Sequence, residues 1–180
     1  FVLSFFLTFL LAGIEATFQL FQMSKIDITP KQVGYLFMAS GFVDAFIQGG
    51  VVRRVKNGTE TKWIFGAQII TGIGLLLIPF TNSLFFAGFA LSVFTAGNAL
   101  GRTVLVSLTS KESGGRYGTA AGMAYSMDNM GRIFGPLLFV FLFTKLEGQI
   151  YYISATIAIL SLLLLILFNR SSHSLKEIAK

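Results

Sequence analysis

A chain of 180 residues with 54% hydrophobic and only 12% charged side chains, at a mean hydropathy of +0.74, is far more apolar than an ordinary soluble domain, in which about a quarter of residues carry charge. The net charge of +6 does not point to nucleic acid, because the basic residues fall in short loops between apolar runs and form no continuous patch. Without cysteine there is no disulfide framework, thiolate nucleophile or Cys-ligated metal, and the single His173 stands in a polar tail.

Repeated apolar stretches of about 20 residues can each cross roughly 30 Å of hydrocarbon. Backbone groups in lipid must be satisfied internally, so the spans are helices. The first covers about residues 1–23 and carries Ser4, Thr8, Glu15, Gln19 and Gln22 within about 60° of one face. It has no charged leader and no small-residue cleavage site, so it reads as a span rather than a signal peptide, and its start on Phe reads as a fragment. The second, about 31–52, opens at "DITPKQ", where Thr29 can cap, Pro30 fits the first helical position and Gln32 completes a capping box. It carries Ser40, Asp44 and Gln48 at four-residue steps. The third, about 63–80, is nearly bare after Gln68 and Thr71. The fourth, about 84–106, presents Ser92, Thr95, Asn98 and Arg102 within about 120°. The fifth, about 117–143, holds Ser126, Asp128, Asn129 and Arg132 before Gly135-Pro136. The sixth, about 149–168, runs "IAILSLLLLILF" and suits the lipid-facing periphery, and residues 169–180 read as a polar tail.

The sequence "lining, flanking, peripheral" therefore occurs twice, as expected of two three-helix units packed around a polar pathway. The expected fold is an all-α membrane protein of six transmembrane helices, amounting to half a transporter. Arg53, Arg54, Lys56, Lys62, Lys111, Arg116, Arg170, Lys176 and Lys180 gather on one side, and Lys25, Lys31 and Lys145 on the other. The positive-inside rule then places both ends in the cytoplasm, with Trp63 at the inner interface and Tyr151 and Tyr152 at the outer one. Arg53, Arg54 and Lys56 read as topology determinants or contacts to anionic lipid.

The segment "GFVDAFIQGGVVRRVKNGTETKWIFGA" resembles the second-to-third helix region in the C-terminal half of a major facilitator. "GGRYGTAAGMAYSMDNMGRIFGPLL" resembles the fifth helix of that half, with Gly131-x-x-x-Gly135-Pro136 echoing the antiporter motif of the N-terminal half. Together with "DITPKQVGYL" these features resemble drug:proton antiporters of the 12-span multidrug and quinolone efflux type over essentially the whole chain. The resemblance implies export of hydrophobic, often cationic compounds across the plasma membrane in exchange for protons, by alternating access against an N-terminal six-helix half, and hence a role in antibiotic resistance. It also implies a coupling acid at Glu15. The pattern departs at Ala99, three residues before Arg102, where such pumps often carry a second acid, so two-acid coupling does not carry over.

Glu15 would lie about 20 Å along the first span, where an ionised carboxylate is costly. It is expected to be a proton or cation site, against the plainer alternative of a Glu hydrogen-bonded to a neighbouring helix. Thr8, Phe18, Gln19, Gln22, Phe37, Ser92, Thr95 and Asn98 are the cavity-lining candidates, Phe18 and Phe37 because they adjoin the polar stripes. Most of the 20 Phe residues are instead expected to pack or to face lipid. Asp128 and Arg132 stand acid-first at four-residue spacing, favourable for an intrahelical neutralising pair, with a gating or proton-relay role as the alternative. Asp44 is expected to pair with a basic group near its end of the helix, and Arg102 either gates or snorkels to a nearby interface. Gly131, Gly135 and Pro136 mark a kink that either shapes the cavity or is passive. No metal or cofactor is expected beyond the proton gradient. An intramembrane enzyme is disfavoured, since no base or ligand set accompanies any nucleophile, and no Walker loop supports direct ATP use. The competing expectations are a major facilitator for another small solute, such as a nutrient or metabolite, or a nonfunctional truncated fragment.

Overall fold

The computed structural model describes residues 1–56 and 58–178, and the side chains of all of these except 52, 164 and 167–178. It has six α-helices and, among the described residues, no strand: α1 (Val2–Ile26), α2 (Pro30–Phe46), α3 (Glu60–Leu77), α4 (Leu84–Glu112), α5 (Tyr117–Leu146) and α6 (Gln149–Ile178). A π-helical turn at Ile47–Val51 and a 3-10 turn at Val52–Arg54 prolong α2, and a 3-10 turn at Ile78–Phe80 prolongs α3.

Local chemistry sets several of these boundaries. Thr29 caps α2 in a capping box with Gln32, and Pro30 occupies the first turn, where its missing N–H costs nothing. Ser83 caps α4 by accepting from the backbone N–H of Phe86 at 3.3 Å. Asp27 stops α1 in the left-handed region at φ 53°, while Gly114 and Gly115, both at positive φ, turn the chain after α4.

Hydropathy windows place helix ends poorly where polar residues continue a helix beyond the bilayer. Thus α4 runs six residues past the expected end at 106, and α6 continues through most of the segment expected to be a tail. His173 and Lys176 in that segment have side chains outside the described set, and Lys180 lies outside the described residues altogether. By length and composition Val2–Ile26, Glu60–Phe80, Leu84–Glu112 and Tyr117–Leu146 can each cross a membrane. α2 has only 17 α-helical residues, diluted by Ser40 and Asp44, and the apolar run of α6 extends from Gln149 to Phe168 in sequence.

α1 packs most extensively on α5, α4 on α3, α3 on α6 and α2 on α4. Exchanging the two three-helix units maps the α1–α5 pair onto the α4–α2 pair, so each unit lends its second helix to the other's first. The main core gathers Leu10, Ile14 and Phe18 of α1, Leu91 and Phe94 of α4, Phe139 of α5 and Tyr151 of α6. A smaller cluster of Leu3, Leu7, Ile64, Ala67, Leu100 and Val104 lies toward the N-terminal end of α1.

Lipid supplies no hydrophobic drive between helices, so close backbone approach must hold them together. Gly135 provides it between α5 and α1: a Cβ there would meet the Phe9 carbonyl oxygen at 2.6 Å and the Gly13 nitrogen at 3.1 Å. Gly97 does the same between α4 and α3, against the backbone of Thr71.

Candidate functional site

Four helices bring charge to one region. Glu15 is exposed on α1, and the charged groups acting on it are Arg132 of α5, Arg102 of α4 and Asp44 of α2. Arg132 is exposed, whereas Arg102 and Asp44 are half-buried. Among the described residues Glu15 makes no ion pair or hydrogen bond, so its carboxylate is open to a ligand. Arg102 sits ten residues before the end of α4, about 15 Å of helix rise.

The polar stripe of α1 divides along its length. Ser4 and Thr8 lie beneath α5, where both hydroxyls donate to Asp128 Oδ1, at 2.5 Å and 2.9 Å. Glu15 and Gln19 are exposed, Gln19 reaching only the Met23 sulfur at 3.7 Å. Gln22 is fully buried, and its Oε1 accepts from Thr81 Oγ1 at 2.9 Å in the turn after α3. In α4, Ser92 and Thr95 are half-buried, but Asn98 is 1% exposed and donates from Nδ2 to the Leu7 carbonyl at 2.9 Å. Thr8, Gln22 and Asn98 therefore join helices to one another, a correction to their expected place on an open cavity wall. Phe18 is likewise fully buried and meets the half-buried Phe37 edge-on, with ring centroids 5.9 Å apart.

Two expected pairings are corrected. Asp128 is held by the α1 hydroxyls, and Arg132 is not its ion-pair partner among the described residues. Asp44 accepts from Gln48 Nε2 at 2.8 Å instead of pairing with a basic side chain. Gly131 and Gly135 seat α5 on α1, and α5 continues as α-helix through Pro136, so the glycines are contact residues first. Sequence reasoning missed the ion pair between Lys111 Nζ and Glu60 Oε1, at 2.5 Å, with Glu60 only 5% exposed. An acid opening α3 and a base closing α4 were its only signals.

The Major Facilitator Superfamily model matches residues 1–180. This chain belongs to the major facilitator superfamily. Members of that superfamily are transporters rather than enzymes, and the six-helix bundle described above is the corresponding fold. Major facilitator superfamily domain-containing protein 10 of Mus musculus is 27% identical over 177 residues, covering 96% of this chain and 38% of that protein. Multidrug resistance protein 2 of Bacillus subtilis is 30% identical over 140 residues, covering 77% and 35% respectively. Quinolone resistance protein NorA of Staphylococcus aureus is 23% identical over 178 residues, covering 98% and 46%. The crystal structure of the human organic anion transporter MFSD10 (TETRAN) superposes with a TM-score of 0.82 at 26% identity, over 91% of this chain and 39% of that one. The chain thus spans less than half the length of each of these major facilitators, and it is a membrane protein.

Proposed function

We propose that this chain is the C-terminal half of a proton-coupled major facilitator that exports hydrophobic, often cationic compounds, working against an N-terminal six-helix half by alternating access. The observation that carries the proposal is the exposed Glu15 of α1, unpaired among the described residues and within electrostatic reach of Arg132, Arg102 and Asp44 on three other helices. A carboxylate there can hold a proton or a cationic substrate but not both, and mutual exclusion at one site is what antiport requires. Gln19, Ser92 and Thr95 are the remaining polar candidates for the cavity wall, with Arg102 and Asp44 as gating charges. Similarity to multidrug resistance protein 2 and to the quinolone resistance protein supports the substrate class. The distribution of Lys and Arg supports a topology with both ends cytoplasmic, and we place the transporter in the plasma membrane.

A second reading has its own observation. Arg102 and Arg132 both act on Glu15, and two guanidinium groups suit a carboxylate-bearing substrate. The similarity to a protein titled an organic anion transporter supports it. The two readings separate in proteoliposomes holding the full transporter. Under the first, Glu15→Gln abolishes proton-driven accumulation of tetraphenylphosphonium while Arg102→Gln spares its binding. Under the second, Arg102→Gln abolishes transport of an organic carboxylate. Proton-driven cation transport that survives Glu15→Gln would overturn the first reading.

A further inference from the structure

Asp128 and Arg132 have the spacing of an intrahelical pair, yet the acid is occupied elsewhere. Two hydroxyls from successive turns of α1 converge on the same oxygen, Asp128 Oδ1. Hydroxyls inside these helices usually return to their own backbone: Thr17 donates to the Gly13 carbonyl, Thr71 to Ala67 and Ser154 to Ile150. Thr8 leaves the Ser4 carbonyl alone in favour of the carboxylate, a stronger acceptor. Directly above this contact, Gly131 and Gly135 bring the α5 backbone against Phe9 and Gly13. The helix is therefore held at two levels, by a hydrogen-bonded pin and by a glycine seat, and the pair fixes its rotation on α1. Arg132 lies about 40° around the wheel from Asp128, at the rim of the seam, where it is exposed and acts on Glu15.

We infer that Asp128 is a positioning residue: pinned by Ser4 and Thr8, it sets the rotation of α5 that turns Arg132 toward Glu15. The inference rests on the proposed coupling role of Glu15 only for its consequence in transport, since the geometry itself stands apart from any substrate. The groups acting on Glu15 among the described residues are Arg132 from α5, Arg102 from α4 and Asp44 from α2, so loss of the Arg132 orientation leaves Arg102 opposed by Asp44.

The test follows Glu15 protonation in the full transporter, in phosphatidylethanolamine and phosphatidylglycerol bilayers, by the infrared carboxyl band that Glu15→Gln removes. Arg132→Gln takes away a cation that favours the ionised form, and the Glu15 midpoint should move to higher pH. The double variant Ser4→Ala/Thr8→Val keeps the Asp128 charge but releases the pin, and should move the midpoint the same way. Asp128 is not among the charges acting on Glu15, so in Asp128→Ala the lost charge alone leaves the midpoint in place, whereas losing the Arg132 orientation shifts it to higher pH. In the Arg132→Gln background neither change should add a further upward shift. A midpoint not raised in Ser4→Ala/Thr8→Val, or not raised in Asp128→Ala, overturns the inference. Should Asp128→Ala not fold, the double variant still decides. Proton-driven transport surviving Glu15→Gln would sink the coupling proposal while leaving this titration result intact.

Discussion

Asn98 shows how much a single polar side chain leaves open until its neighbours are known. On the helical wheel it belongs with Ser92, Thr95 and Arg102, yet it sits at the edge of that sector, where α1 passes, and binds the Leu7 carbonyl. Interhelical hydrogen bonds in bilayers contribute about 0.6 kcal/mol on average and up to about 1.7. Asn98→Ala should therefore lower bundle stability by about 1 kcal/mol, read as a reduced unfolding midpoint in detergent, while the apparent KM for transported substrate stays unchanged. A raised KM at unchanged stability would return Asn98 to the cavity wall. Gln22 behaves alike: its Oε1 is bonded to Thr81, and its Nε2 is buried without a hydrogen-bond partner among the described residues. Such orphans are rare in folded proteins. The residues whose chemistry stays free are fewer than the stripes suggested, and Glu15 is the acid among them.

For the helices, periodicity identified the faces and capping chemistry identified the starts, but neither revealed how one helix crosses the next. α5 illustrates the difference. Its Gly131-x-x-x-Gly135-Pro136 segment suggests a hinge in isolation, whereas against α1 the two glycines are the floor of a backbone contact. Gly135→Val should push α5 off Phe9 and Gly13 and destabilise the bundle by about 1–3 kcal/mol, as overpacking commonly does. Disulfide trapping between an engineered cysteine at Ala12 and one in the α5 turn beside Gly135, leaving Pro136 in place, would report the wider seam, and the chain's lack of native cysteine gives a clean background. Pro136→Ala keeps the seat and should cross-link as efficiently at that pair. If the proline variant opens the seam and the glycine variant does not, the hinge account stands instead. The division of the α1 stripe into pinned, open and covered thirds has the same origin: α5 crosses one end, the turn after α3 covers the other, and a sequence pattern holds no crossing angle.

Across the whole molecule the most uneven feature is α5 itself. Only 17% of its most apolar window is buried, against 61% for α1, and Tyr125, Ile133 and Leu137 stand largely exposed. Under the proposed function an N-terminal half covers part of that surface. The chain produced together with such a half should then unfold several degrees higher in detergent than the chain alone, by static light scattering or tryptophan fluorescence from Trp63. Equal midpoints would assign the α5 face to lipid. The apolar composition, the six helical segments, the repeated order of polar and bare helices and the family resemblance were all fixed by the chain's own chemistry, because burial in hydrocarbon imposes composition and period on every span independently. Which polar residues bond to a neighbour and which remain open was decided only by tertiary packing. Asp128 turned to Ser4 and Thr8, Gln22 to Thr81 and Asn98 to Leu7 because those partners lie 59 to 124 residues away in sequence, and hydrogen-bond competition is settled by distance in space.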